Sequence, residues 1–519
     1  MAPPALLGLL TLCLLALGAA TARAEPDTPW LPPVTRAPMP GGLRVVMNVD
    51  RSAPLVVAAM SYLAGTIDEP DRRSGVARLV ERMMFAGGGQ VGDGQHEQSI
   101  AALGGWTTVA RTAEVTSYIN VVPPEGLPLV LWLEGQRMAS LTVEPPALAR
   151  ERARLLVARD EQRWRYGPAS SRAQLLGLAL QGDQHHGGAT LNALETITAA
   201  EVKTFHQSHY GPARAVLTVV GDFDPAAVLA AVERYVDPIR RATPSRRPRG
   251  KPSAQTTRRA SSLVHRGAHR GTLAFGWAIV GRDHPDHAAL EVAGELLAGG
   301  RPSALYQQLV VADGKAFSVQ ARTERLKQSD LLGVYIELPR GTTPHDVALE
   351  VEREARQLGQ RGPQPEALLG AQRALRTRQL SELAGKPGRA HRLSAHELTR
   401  AGTAELTETL SRHQTVTAAD VRRVTAQYLV PHRSSVVEAL AVPIVGKAKS
   451  ADGNTGKKGK AKKTTKGKRK GKAKKTTKGK RKGKAKKTTK GKRKGKAKKA
   501  TKGKPGTSAK KPRRGGKGP

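Results

Sequence analysis

Three residues, Arg78, Glu81 and Arg82, have the types and spacing from which chemistry could be built. They lie inside Gly75-Val-Ala-Arg-Leu-Val-Glu-Arg-Met-Met-Phe-Ala-Gly87. On a helix, positions i, i+3 and i+4 leave from one face, so a carboxylate would stand between two guanidiniums. Metal binding needs lone pairs, and a guanidinium has five N–H donors, no acceptor and a permanent charge. Arg78 and Arg82 therefore cannot be metal ligands. Taken alone, the stretch also reads as the solvent-facing charged stripe of an amphipathic helix.

The elements around these residues follow from composition and pattern. The chain has 519 residues and a net charge of +43, enough length for two or three domains. The charge is concentrated at the end: Gly446 to Pro519 holds 35 Lys and Arg against one acidic residue, Asp452, so this segment carries +34 and leaves +9 for the rest. A 12-residue unit, Lys-Gly-Lys-Ala-Lys-Lys-Thr-Thr-Lys-Gly-Lys-Arg, starts at Lys458 and recurs at Lys470, Lys482 and, degenerately, Lys494. With no apolar side chain larger than Ala, residues 446–519 are expected to be a disordered basic tail. At the other end, an apolar run from Ala5 to Ala20 followed by Thr-Ala-Arg-Ala24 reads as a secretory signal, residues 1–24, cut after Ala24; its n-region lacks Lys and Arg, so an uncleaved anchor is the alternative. Cys13, the only cysteine, lies within the signal, which leaves a mature chain without disulfides or thiol chemistry. The expected location is exported: periplasmic, cell-surface or secreted.

Along the body, Gly42–Val49 and Leu55–Leu63 read as two strands of a hairpin-like pair, followed by the Arg78 helix. A short helix ends at Gly104-Gly105, two strands occupy Thr107–Val122, and helices cover Leu127–Ser140, Pro146–Trp164 and Ser170–Ala179. Asp183–Gly188, with His185-His186, reads as a loop. Thr198-Ala-Ala-Glu201 is a capping box opening a helix to Tyr210 ahead of the strand Ala215–Gly221. The same device, Thr417-Ala-Ala-Asp420, precedes a helix to Tyr428 and the strand Ser435–Ala441. Glu69-Pro-Asp71 is likewise echoed by His284-Pro-Asp286. Two matches at nearly one offset indicate an internal duplication. The expected fold is α+β in two similar halves, each a mainly antiparallel sheet packed with helices, over 25–242 and 260–445, joined by a basic Pro-rich linker at 243–259.

This organisation and the Gly75–Gly87 stretch resemble the pitrilysin/insulinase family of metallopeptidases, which includes the mitochondrial processing peptidase, over about Gly41 to Pro443. Its members carry His-x-x-Glu-His inside a Gly-x-Ala-His-x-x-Glu-His-Met-x-Phe-x-Gly frame. Gly75, Ala77, Glu81, Met83, Phe85 and Gly87 keep the frame, and Arg78 and Arg82 stand at the two ligand positions. The resemblance implies that Glu81 is the general-base position, that the helix over Arg150–Pro168 supplies the third ligand, by frame Glu161 with Glu151 as a second candidate, and that Gly104, Gly105, Thr108 and Tyr118 line the peptide cleft. Thr108-Val109 replaces the usual Asn-Ala of that strand. Tyr210, Pro212 and Val219–Asp222 match the end of the first half. In the second half, Ala304 and Phe317 stand where relatives have an Arg and a Tyr that grip the peptide; Arg301 lies nearby.

Zinc with two neutral histidines contributes two positive charges, and two arginines contribute the same. An Arg78/Glu81/Arg82/Glu161 ion-pair cluster in place of the metal is therefore expected, with no cofactor, although active relatives hold zinc. His96-Glu97 has no partner at ligand spacing, and His206, His209, His265 and His269 are read as surface or packing residues. The leading expectation is a non-catalytic family member that pairs with an active zinc peptidase subunit, in a hetero- or homodimer, and helps bind peptide. A second reading makes the body a scaffold for a tail that binds an anionic membrane surface, a cell-wall polyanion or extracellular DNA. A third, a peptidase with unorthodox ligands, has the two arginines against it.

Overall fold

Val56–Tyr62 and Ala215–Gly221 are mostly apolar, with Ser61 and Thr218 among them, and are buried at every position, a pattern that suits strands covered on both faces. The computed structural model describes residues 31–442, apart from 71–72, 166–192, 240–254, 267–269, 326–328, 401–405 and 407–410. The signal segment, the helix expected at Ser170–Ala179, the His185-His186 loop, His269, most of the linker and the basic tail lie outside the described residues. The chain divides into two units, Met1–Ala448 and Lys449–Pro519, and every described residue belongs to the first.

Strands β1 (Thr35–Pro38), β2 (Arg44–Val49), β3 (Val56–Tyr62), β4 (Trp106–Arg111), β5 (Thr116–Val122) and β6 (Ala215–Gly221) form one sheet in the order β1-β2-β6-β3-β5-β4. Strands β7 (Arg259–Arg266), β8 (Gly271–Ile279), β9 (Ser318–Arg325), β10 (Asp330–Leu338) and β11 (Ser434–Val442) form the other, in the order β7-β11-β8-β10-β9. From β2 onward the first order maps onto the second strand for strand, including one parallel pair in each, β2 with β6 and β7 with β11. The duplication read from the capping boxes is thus a duplication of topology. The expected hairpin of β2 and β3 is corrected: β6 lies between them, parallel to β2 and antiparallel to β3. A strand buried at every position, such as β6, is covered best at the centre of a sheet, and no local turn holds β2 and β3 together.

The helices described are α1 (Val76–Met83), α2 (Gln95–Ala102), α3 (Leu127–Ala139), α4 (Pro145–Arg165), α5 (Ala199–His209), α6 (Pro225–Tyr235), α7 (His287–Ala298), α8 (Pro344–Arg361), α9 (Pro365–Ala384), α10 (Lys386–Arg400) and α11 (Ala418–Tyr428), with a short helical turn Ala304–Tyr306 running into the π-helix Gln307–Ala312. Both capping boxes form: Thr198 accepts from the Glu201 amide at 3.2 Å while its own amide donates to Glu201 at 2.7 Å, and Thr417 and Asp420 do the same at 3.1 and 3.1 Å. Side chains from α1, α3, α4, α5 and α6 fill the core on one face of the first sheet. The opposite face is covered by α10, which comes from the second half and packs Ala390, Leu393 and Leu398 against Val46, Val57, Ile119 and Val220. Polar ties fix that crossing: Ser394 donates to Thr218 at 2.7 Å, and Arg389 donates to Asn48 and Asp50. Among the described residues no helix is long and apolar enough to cross a membrane.

Candidate functional site

Helix α1 begins at Gly75, whose φ of 112° belongs to the left-handed region that favours glycine. Glu69 caps it, its Oε1 accepting the Gly75 and Ala77 amides at 3.0 Å each, a carboxylate at the positive end of the helix dipole. Val76, Ala77, Leu79, Val80 and Met83 are buried, which fixes the rotation of the helix and presents Arg78, Glu81 and Arg82 at the edge of the core. The stripe is therefore not a solvated face: the Glu81 side chain is only 6% exposed.

Glu81 accepts from two guanidiniums, Arg78 one turn earlier at 2.5 and 2.6 Å and Arg111 at the end of β4 at 3.1 Å. Arg82 donates its Nε to Glu151 of α4 at 2.9 Å. Glu151, 4% exposed, also takes Arg150 Nε at 3.1 Å and Arg154 at 2.6 Å, and Arg150 reaches Asp93 at 2.8 Å. The carboxylate that meets Arg82 is thus Glu151, the second candidate. Glu161 lies ten residues further along α4, about 15 Å at the helical rise, and its side chain lies outside the described residues. Burial, opposed by Glu81 and helped by repulsion from Arg78 and Arg82, lowers the pKa of Arg111. Sequence reasoning missed Arg111, although the period of two places it on the same sheet face as Val109, which packs against the helix-side core.

The remaining site residues separate into groups. Gly104 (φ 75°) and Gly105 make the turn into β4; a Cβ on Gly105 would meet the Val121 carbonyl oxygen at 2.4 Å. Thr108 is exposed on β4, which ends the sheet as an edge strand. Tyr118, expected to line the cleft, is corrected to a core residue: it is wholly buried, 4.2 Å beneath the Arg137 guanidinium and 6.0 Å from the Tyr62 ring. Burial above all, then Tyr210 and Glu81, holds its phenol well above the usual range, so it stays neutral. Below it runs a buried chain in which His96 Nε2 meets Asn120 at 3.1 Å, Asn120 donates to Glu134 at 2.6 Å, and Arg137 pairs with Glu134. His206 is buried on the Arg137 carbonyl, a packing residue as expected. Ala304 is exposed at the start of its helical turn, and Phe317, 51% exposed, lies under Arg270 at 4.5 Å just before the edge strand β9. Among the described residues no hydrogen bond or ion pair joins these two to the α1 cluster.

The donor set on α1 does not fit a zinc ion. Two guanidiniums hold the positions from which lone pairs would come, and both nearby carboxylates, Glu81 and Glu151, already accept from arginines. Among the described residues no three His, Cys, Asp or Glu side chains are arranged to hold a metal.

A duplicated α+β body with this helix against the edge strand of its first half has the architecture of a peptidase class, and the matches name it. Residues 44–186 match the model described as insulinase (peptidase family M16) and residues 196–375 the model described as the peptidase M16 inactive domain. The chain belongs to the M16, or pitrilysin/insulinase, family. It is 24% identical over 335 residues to the zinc protease PqqE of Helicobacter pylori, covering 63% of this chain and 73% of that protein. An uncharacterized zinc protease of Streptomyces coelicolor is 24% identical over 405 residues, 76% of this chain and 87% of the relative. Among solved structures, a protease from Helicobacter pylori superposes with a TM-score of 0.72 at 19% identity, covering 79% of this chain and 100% of that one. A peptidase M16 inactive domain from Pseudomonas fluorescens gives 0.70 at 17% identity, covering 79% and 98%.

Proposed function

We propose that this chain is a non-catalytic, exported M16 protein that pairs with an active zinc peptidase subunit and forms part of its peptide-binding chamber. The observation that carries the reading is the pairing on α1, where Arg78 holds Glu81 and Arg82 holds Glu151. Glu81 keeps the general-base position yet has no activated water to deprotonate, because guanidiniums replace the ligands that would hold the metal. The architecture around it is retained, and β4 remains an edge to which an extended peptide can add as a further strand. A subunit of this kind contributes binding and shape while its partner supplies the chemistry.

The test is purification of the full chain alone and with a family member carrying an intact His-x-x-Glu-His, followed by zinc analysis and peptide cleavage. The expected result is no stoichiometric zinc and no cleavage from this chain alone, with the pair cleaving about tenfold faster than the active subunit by itself, or roughly 1.4 kcal/mol in barrier. Zinc near one per chain with cleavage by the isolated protein would overturn the reading. The tail favours a second role, since 35 basic residues against one acidic between Gly446 and Pro519 attract polyanions by counterion release. Loss of salt-sensitive binding to anionic vesicles or to DNA on deleting 446–519 is the expected outcome for that role.

A further inference from the structure

The α1 cluster contains more positive charge than its carboxylates neutralise. Five guanidiniums, Arg78, Arg82, Arg111, Arg150 and Arg154, meet three carboxylates, Glu81, Glu151 and Asp93. Among the described residues Arg82 uses only its Nε, on Glu151, and Arg111 only one terminal nitrogen, on Glu81. Their side chains are 39% and 44% exposed, so the remaining N–H groups are open to a further acceptor. The buried carboxylates Glu81 and Glu151 fix the forks and offset only part of their charge. Arg111 also ends β4, on the helix-side face of the sheet. A peptide strand added beside β4 would run about 4.8 Å away, with alternate side chains on that same face.

We infer that the former metal helix has become an acid-selective subsite, in which Arg111 and Arg82, backed by Arg78, take an Asp or Glu side chain of an extended peptide lying along β4. This rests on the reading of β4 as the peptide-binding edge and names the class of peptide it takes. Planar guanidinium forks bind carboxylates in two parallel hydrogen bonds, a geometry that a lysine or a neutral amide partner does not reproduce.

The test is fluorescence anisotropy of the full chain with two labelled twelve-residue peptides that differ only in a central Glu-Glu or Gln-Gln pair. The expected result is about tenfold tighter binding of the Glu peptide, near 1.4 kcal/mol. Arg111→Gln should cut that preference to about threefold or less, Arg111→Lys should restore part of it, and Arg51→Gln, at an exposed arginine paired with Asp222, should leave it intact. Equal binding of both peptides overturns the acid selectivity while leaving strand addition standing. Binding of neither overturns both. A preference that survives Arg111→Gln assigns it to the basic tail and overturns the subsite, and a urea midpoint for Arg111→Gln matching the parent excludes unfolding as the cause of a loss.

Discussion

Glu81 and its neighbours show how a buried carboxylate can be kept without a metal. An ionised group in a protein interior is costly unless paired, and Glu81 is paired twice, from its own helix by Arg78 and from β4 by Arg111. The two partners are partly redundant, and the carboxylate is not. Arg78→Gln should therefore cost only about 1–2 kcal/mol, because Arg111 still meets the charge. Glu81→Gln should cost more, about 2–4 kcal/mol, because it leaves two guanidiniums facing each other with no counter-charge. Urea unfolding of the two variants checks the order, and a larger loss for Arg78→Gln would contradict the pairing. Much of this site could be read from the spacing of Arg78, Glu81 and Arg82. The choice of Glu151 over Glu161 could not, since it depends on where along α4 the packing against α1 brings a side chain within reach.

At the scale of elements, the capping boxes at Thr198 and Thr417 and the strands they precede were legible because each is specified within four to nine neighbouring residues. The insertion of β6 between β2 and β3, and the crossing of α10 onto the first sheet, were not, because both are choices among distant partners that no local pattern encodes. The turn into β4 lies between these cases: Gly104-Gly105 signals a stop, while the reason for the second glycine is a packing fact. At Gly105 a Cβ would press on the Val121 carbonyl at 2.4 Å and on Val122 Cγ1 at 2.8 Å, whereas at Gly104 it would meet nothing within 4 Å and only the φ of 75° would be strained. Gly104→Ala should cost about 1 kcal/mol. Gly105→Ala should cost roughly 2–4 kcal/mol and push β4 away from β5, weakening peptide binding along with stability. Thermal melts of the two variants, with anisotropy on the Glu peptide, check both, and equal losses would show that backbone conformation rather than the β4–β5 contact sets the requirement.

Across the whole molecule, two buried histidines in opposite halves respond to pH in opposite senses. Burial, reinforced by the Arg137 charge, pulls His96 down to about 3, so the folded first half keeps it neutral. An unfolded chain protonates the same group near 6.5, so its contribution is present above that pH and is lost as pH falls toward 3, on the order of a few kcal/mol. In the second half, burial also pulls His287 down, but Asp330 at 2.8 Å and Glu291 at 3.4 Å outweigh it and raise the pKa above its ordinary value. Its contribution is present below about 6.5 and is lost as pH rises through the folded value. Asp330 also takes Arg325, which reaches Glu114 of the first half at 3.5 Å, while Arg282 pairs with the same Glu114, so the His287 charge belongs to a network joining the halves. Stability should therefore peak near pH 6.5. Asp50, lowered by hydrogen bonds from Ser52 and Arg389, and Asp286, lowered by Arg423, act below about pH 4; between about 4.5 and 6.5 His391, lowered by burial and by Arg392, adds to His96, while the carboxyls of Glu134, Glu295 and Glu354, raised by burial, act in the opposite sense. Urea midpoints measured from pH 4.5 to 9 should fall on both sides of the maximum. His96→Gln should reduce the slope of the acid side alone and His287→Gln that of the alkaline side alone; if either variant moved both sides equally, the two halves would not be titrating independently and this assignment of the pH profile would be wrong.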